Sequence, residues 1–178
     1  DPFKRILKHG RDFPKYADMA EQVINSVSEL PGYRVLMADA FMLNNAGSYI
    51  TQELGFALAW GNEWLSVLTD KGLTVDKVAN RIKFNFGISS NYFMEMAKFR
   101  AARMLWAQIV SAYKPNCDCA SKIEMHAQTS QFNMTIYDAH VNLLRSQTET
   151  MSAALAGVNS ITVTPFDITY KQPDEFSE

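Results

Sequence analysis

The chain has 178 residues, a hydrophobic fraction of 47% and a formal net charge of −2. This length and apolar content predict one globular unit with a core of its own. The nearly balanced charge provides no basic field for nucleic acid or anionic lipid. No apolar run approaches the ~18 residues of a membrane span. We therefore expect neither a nucleic-acid nor a membrane partner, and a cytoplasmic location.

Helices and strands are predicted to alternate along the chain. Helical spacing of apolar residues predicts helices over 16–30, 48–68, 74–80, 91–113 and 137–156. Strands are predicted over 34–42, 81–88, 122–128 and 160–166. Strands separated by helices pair in parallel through right-handed crossovers. This order predicts an α/β fold with four parallel strands, about half of a (β/α)8 barrel of the TIM type. An open doubly wound sheet is the alternative.

Polar and apolar residues alternate in the predicted strands. Lys83 and Asn85 are the polar members in the second strand, and Glu124, His126 and Gln128 in the third. A strand buried on both faces would be almost entirely apolar. The alternation therefore favours a polar inner face, as in the bore of a barrel; a solvated face of a half-covered sheet is the alternative.

Two further patterns yield structural expectations. Cys117 and Cys119 are separated by one residue, which suits a strain-free bridge poorly, so we expect two thiols in a loop and no metal site. The helix over 91–113 carries a stripe expected to be core, with Lys98, Arg100 and Arg103 on its solvated side. The stripe consists of Met94, Met96, Phe99, Met104 and Trp106.

Several long motifs carry a family resemblance. The chain reads FGISSNYFMEMAKFRAARMLW over 86–106, HAQTSQ over 126–131 and ETMSAALAGVNS over 149–160, and ends with FD followed by PDEFS. In one register from Tyr33 onward, it resembles the methylmalonyl-CoA mutases. The resemblance implies the second half of an eight-stranded barrel that binds acyl-CoA along its axis and stacks on adenosylcobalamin held by a separate domain. It also implies the isomerisation of methylmalonyl-CoA and succinyl-CoA.

The resemblance assigns the family's catalytic groups to positions that differ here. The family pattern Tyr-His-Met-Gln-Glu-Ala-Gly stands against Phe41 to Gly47, so that Phe41, Met42 and Asn44 replace tyrosine, histidine and glutamine. A thioether cannot donate the hydrogen bond that the histidine gives to the thioester carbonyl. The family's asparagine and glutamate facing the adenosyl group become Thr164 and Ile168. We therefore expect no catalytic residue in this chain.

Other positions retain family residues or differ in size. Arg81, His126 and Gln128 match substrate-contacting or rim residues and are candidates for a vestigial substrate site, although local hydrogen bonding is the simpler role. By the same register, larger or charged side chains stand at inward positions, where we expect them to plug the bore. We also expect Lys83 to pair with Glu124. The bore-plugging candidates are Met37, Asp39, Lys83 and Glu124.

The resemblance thus favours a fragment, residues 1–178, of the barrel domain of a small, non-catalytic mutase subunit. Such a subunit is the structural partner of a large catalytic subunit in a heterodimer of propionate metabolism. The cofactor adenosylcobalamin is expected in that partner and not in this chain, because the pattern Asp-x-His-x-x-Gly is absent. Open sheet edges make a homodimer of the fragment possible. The alternative is a catalytic acyl-CoA mutase with an altered substrate, using Arg81, His126 and Gln128.

Overall fold

A computed structural model describes residues 2–10 and 13–177. Its helices and strands follow the predicted order. The helices are α1 (Pro2–His9), α2 (Phe13–Ser26), α3 (Phe41–Asn45), α4 (Ile50–Asp70), α5 (Val75–Ala79), α6 (Tyr92–Ala112) and α7 (Val141–Ala156), with a 3-10 turn at Asp118–Ser121. The strands are β1 (Leu36–Asp39), β2 (Ile82–Ile88), β3 (Met125–Thr129) and β4 (Ser160–Thr162).

The four strands form one sheet in the order β1-β2-β3-β4. β3 and β4 pair in parallel, with His126 opposite Ser160 and Gln128 opposite Thr162. Neighbours in sequence are therefore neighbours in the sheet, with helices between them. The predicted α/β class is confirmed, and the arrangement is consistent with half of a TIM-type barrel.

Two compact units divide the chain. Unit 1 comprises residues 1–39, 55–84 and 102–124, and unit 2 comprises residues 40–54, 85–101 and 125–178. In unit 1, Phe84 packs edge-on against Trp106 with ring centroids 4.8 Å apart. In unit 2, Phe86 meets Phe99 at 5.9 Å in the same geometry. Each unit thus has an aromatic pair in its core.

Strand alternation places the apolar residues of β3 inside. Met125 and Ala127 have no solvent exposure, whereas His126 and Gln128 are half-buried. The predicted strands are longer than the observed ones, because residues 41–45 turn into α3 and β4 ends before Pro165. α7 ends at Gly157, which has a φ of 75°, a conformation that glycine adopts without steric cost.

Three local expectations are corrected by the structure. Cys117 and Cys119 are joined in a disulfide, so they are not two free thiols. Lys98 is buried on α6, because it shares the inner face of that helix with Phe99. Met94 and Met104 are exposed and lie outside the core, to which Phe99 and Trp106 do belong.

No helix within the described ranges is long and apolar enough to cross a bilayer.

Candidate functional site

Arg81 binds main-chain carbonyls at the end of α2. Its guanidinium donates hydrogen bonds to the carbonyl oxygens of Leu30, of Tyr33 at 2.8 Å and of Val27 at 3.0 Å. These carbonyls belong to the segment that follows α2, where Val27 and Leu30 also accept main-chain N–H groups, and an arginine with five fixed donors can bind several carbonyls at once. Arg81 is buried, and these contacts tie β2 to the turn after α2 within unit 1.

His126 is held by both ring nitrogens. Nδ1 lies 2.7 Å from the Ser160 hydroxyl oxygen, and Nε2 lies 3.0 Å from the Thr162 hydroxyl oxygen. Both partners belong to β4, so the imidazole links the two strands across their polar face. Gln128 follows on the same face, half-buried and opposite Thr162.

The positions that the resemblance assigns to the family's catalytic groups lie on α3 and on the segment after β4. Phe41 and Met42 begin α3 and are half-buried. Asn44 is buried, and its amide donates to Glu53 at 3.4 Å. Thr164 is buried as well, and its main-chain N–H donates to the Thr129 hydroxyl at 2.7 Å. Ile168 is exposed.

The four predicted bore positions all lie in unit 1. Asp39 is buried and forms an ion pair with Lys4 at 2.6 Å, while Met37 is exposed. Glu124 is half-buried, and its carboxylate lies 3.6 Å from Arg34. Lys83 is half-buried on β2. Asp39 thus pairs with Lys4, and Glu124 pairs with Arg34. The pairing of Lys83 with Glu124 stays a prediction.

A buried charge cluster, consisting of Glu53, Glu95 and Lys98, lies in unit 2. The Lys98 ammonium is 2.7 Å from Glu53 and 2.5 Å from Glu95, and the side chains of all three residues have no solvent exposure. Lys98 also donates to the Gly87 carbonyl at 2.6 Å, and Gly87 N–H donates to Glu53 at 2.6 Å. The cluster therefore fastens α4 and α6 to the end of β2.

Burial and charge oppose each other at Glu53. Removal from water raises the pKa of its carboxyl above the usual 4.5, although the Lys98 ammonium acts to lower it. The neighbouring Glu95 carboxylate raises the pKa of Glu53 as well. The other oxygen of Glu95 accepts hydrogen bonds from the N–H and the hydroxyl of Ser89 at 3.0 and 2.5 Å. Sequence reasoning missed this cluster. The available signal was the position of Glu95 and Lys98 on the same helical face as Phe99, Ala102 and Trp106.

A second buried carboxylate lies on α7. Glu149 is 2% exposed and accepts hydrogen bonds from the Ser130 main-chain N–H at 3.1 Å and the Asn133 side-chain amide at 2.6 Å. Burial raises the pKa of its carboxyl from 4.5 to about 7. No sequence pattern singled out Glu149, which reads as one more polar residue of an amphipathic helix.

Two clefts lie in unit 2. One, of about 330 Å³, is lined by polar residues such as Ser48, Ser89 and Asn133, together with Tyr49 and Phe132. The other, of about 740 Å³, runs beside β4, has mostly apolar walls and includes Thr164. Over residues 2–10 and 13–177, no group of three or more His, Cys, Asp or Glu side chains could hold a metal ion.

Parallel strands that alternate with helices, with half-buried polar side chains along one face of β3, place the chain in the α/β class and are consistent with half of a TIM-type barrel. The sequence profile of the methylmalonyl-CoA mutase family matches residues 13–178. The chain belongs to this family.

Several relatives are identified by sequence. The chain is 59% identical, over its whole length, to the methylmalonyl-CoA mutase small subunit of Porphyromonas gingivalis, and covers 29% of that protein. It is 36% identical to the small subunit of Streptomyces virginiae over 99% of the chain and 28% of that protein. It is 30% identical to the large subunit of Propionibacterium freudenreichii over 92% of the chain and 23% of that protein. The chain thus spans less than a third of the length of these relatives.

Proposed function

We propose that this chain is part of the small, non-catalytic subunit of a methylmalonyl-CoA mutase and acts as a structural partner of the large subunit. The enzyme as a whole interconverts methylmalonyl-CoA and succinyl-CoA. The 59% identity to a small subunit, against 30% to a large one, supports this assignment.

The observation that carries the proposal is the chemistry at the family's catalytic positions. Phe41, Met42 and Ile168 provide no hydrogen-bond donor suited to a thioester carbonyl and no acceptor for a ribose hydroxyl. Asn44 and Thr164 are polar, but they are buried and bound to Glu53 and Thr129. An acyl-CoA that entered here would find no group to polarise its reacting carbonyl.

The residues present do not fit adenosylcobalamin either. The side chains that face the cofactor in the family are replaced by the exposed Ile168 and by Thr164, whose polar atoms are engaged with Thr129. We accordingly assign the cofactor to the large subunit and derive no catalytic step for this chain. A cytoplasmic location accompanies this assignment as a prediction.

Residues 1–178 are proposed to be a piece of the barrel domain of the longer subunit. The supporting observation is that β1 and β4 are the two edges of the described sheet. Open edges with unpaired N–H and C=O groups pair readily with further strands. A homodimer of the fragment through these edges stays a prediction.

The proposal is tested by mixing the chain with a large mutase subunit and measuring the sedimentation coefficient of the mixture. A 1:1 complex is expected, together with unchanged catalytic constants when Gln128 of this chain is replaced. Two species sedimenting independently at micromolar concentrations would contradict the proposal.

A catalytic acyl-CoA mutase with an altered substrate is the second candidate, favoured by the presence of Arg81, His126 and Gln128. It requires His126 to release its bonds to β4 and Arg81 to release its carbonyls. Replacing His126 by Ala should then abolish acyl-CoA binding, while His140→Ala on the exposed start of α7 serves as the matched control. Unaltered binding or no binding in either variant counts against this candidate.

A further inference from the structure

The two cysteines of the chain form an exposed disulfide between α6 and β3. Cys117 and Cys119 are joined across one intervening residue, and both are exposed to solvent. The sequence contains no other cysteine. A bridge that closes so short a loop excludes few conformations of the unfolded chain, so it stabilises a fold less than a bridge between distant residues does. Stabilisation of the fold is therefore a poor explanation for this pair.

The main chain before the pair is held by Asp76 of α5. One carboxylate oxygen of Asp76 accepts the Cys117 N–H at 3.0 Å, and the other accepts the main-chain and side-chain N–H groups of Asn116, each at 3.1 Å. All three residues lie in unit 1. These hydrogen bonds do not involve sulfur, so they are available to the segment with the bridge closed or open.

The main chain after the pair is held independently of the bridge as well. Ala120 is buried, and its N–H donates to the Cys117 carbonyl at 3.1 Å. The Lys122 N–H donates to the Cys119 carbonyl at 3.3 Å, and the Cys119 N–H donates to the Cys117 sulfur at 3.1 Å. Contacts on both sides should therefore keep the two sulfur atoms close together after reduction, which gives each thiol a high effective concentration toward the other.

We propose that Cys117 and Cys119 are a redox-exchange site whose co-reactant is a thiol of low molecular weight. A thiolate attacks one sulfur atom of the bridge, the S–S bond breaks, and the electron pair stays on the other cysteine sulfur, which takes up a proton. A second thiol then resolves the mixed disulfide. In sum, the bridge takes up two electrons and two protons, and the two attacking thiols become one disulfide.

The exposure of the pair is the observation that favours exchange over a structural bridge, because exposed disulfides are the ones that exchange readily. The site uses none of the residues on which the proposed subunit role depends. Failure of one proposal therefore leaves the other unaffected.

Equilibration of the 178-residue chain with mixtures of reduced and oxidised glutathione tests the site. Labelling with iodoacetamide followed by mass spectrometry counts the thiols, all of which belong to this pair. We expect millimolar reduced glutathione to open the bridge and oxidised glutathione to close it again, with the circular dichroism spectrum of the folded chain in both states. A bridge that persists in millimolar reduced glutathione, thiols that oxidised glutathione does not close, or loss of the folded spectrum on reduction overturns the proposal.

A second measurement tests whether the reduced sulfur atoms stay together. Phenylarsine oxide binds two thiols through one trivalent arsenic atom with release of one water, so it distinguishes a close pair from separate thiols. The reduced chain should bind it more tightly, by at least about tenfold, than Cys117→Ser or Cys119→Ser, each of which keeps one thiol. Equal binding by all three chains contradicts the close pair.

Asp76 is a positioning residue in this proposal. Asp76→Ala should lower the equilibrium constant for closing the bridge against glutathione by about tenfold, because the carboxylate no longer holds Cys117. Asp70→Ala, an exposed carboxylate at the end of α4, is the matched control and should leave this constant unchanged. A lower unfolding temperature of Asp76→Ala with an unchanged constant would show a purely structural contact and contradict the positioning role.

Discussion

Lys98 brings a full positive charge into a place without solvent exposure. Removal of an ammonium group from water costs several kcal/mol, and the cost is offset only by close partners with good geometry. Here the partners are Glu53, Glu95 and the carbonyl of Gly87, all within 2.7 Å of the nitrogen. Removing the lysine would leave two carboxylates buried beside each other without a compensating positive charge. The cluster should therefore be sensitive to single substitutions.

We predict that Lys98→Met destabilises the chain by about 3–5 kcal/mol, because the shape is nearly retained while the charge that compensates Glu53 and Glu95 is lost. Lys15→Met on α2 is the matched control, an exposed lysine whose loss should change stability by less than about 0.5 kcal/mol. Urea denaturation at pH 7 measures both. Equal and small effects would show that the cluster contributes no net stabilisation.

Arg81 offers a second prediction at the same scale. Arg81→Met should cost about 2–4 kcal/mol, because the main-chain carbonyls after α2 lose the charged donors of a buried guanidinium. Arg100→Met, on the exposed side of α6, should be nearly neutral. Urea denaturation again provides the comparison, and a neutral Arg81→Met would mean that water replaces the guanidinium at little cost.

At the scale of whole elements, α4 contains two glycines in contrasting surroundings. A Cβ atom at Gly61 would lie 2.6 Å from Phe84 and 2.7 Å from Trp106, whereas one at Gly55 would meet nothing within 4 Å. The helix therefore presents Gly61 to the core of unit 1, and only the absence of a side chain allows the aromatic pair to approach.

The two glycines form an internally matched test. Gly61→Ala should destabilise by about 1–3 kcal/mol through overpacking, whereas Gly55→Ala should stabilise by about 0.5–1 kcal/mol, because alanine favours the helix. Thermal unfolding of both variants gives the comparison. Stabilisation in both would mean that α4 does not pack on Phe84 and Trp106 in this manner.

The order of helices and strands was predictable, because helical periodicity and strand alternation are local in sequence. The ends of the strands were less so. Phe41 and Met42 are apolar enough to extend β1, yet they fold into α3, in which Asn44 reaches Glu53. The contact joins Asn44 to a partner nine residues away, and local helix and strand propensities give no information about such a contact.

The candidate site was predictable only where the chemistry of a residue type, by itself, decides whether the side chain can donate or accept a hydrogen bond. The absence of a donor at Met42 follows from the sequence alone, as does the missing acceptor at Ile168. The roles of Arg81 and His126 required coordinates, since their partners are main-chain carbonyls and β4 hydroxyls. The burial of Lys98 was predicted wrongly, because a charged residue on a long helix was assumed to face water.

At the scale of the whole molecule, the chain combines an α/β framework consistent with half of the family's barrel with the predicted replacement of the family's catalytic groups. The arginine and histidine that resemble substrate contacts are engaged in holding the structure together. The framework therefore accounts for the family membership, and the replaced groups account for the proposed loss of chemistry. The function that we propose is accordingly assembly with a catalytic subunit.

Calorimetric titration of the chain with methylmalonyl-CoA, and separately with adenosylcobalamin, tests this central claim most directly. A large methylmalonyl-CoA mutase subunit, such as that of Propionibacterium freudenreichii, is the positive control. The account predicts no heat of binding from either ligand with this chain, at concentrations where the large subunit binds both. Micromolar binding of methylmalonyl-CoA that is lost in His126→Ala would contradict it and restore the catalytic alternative.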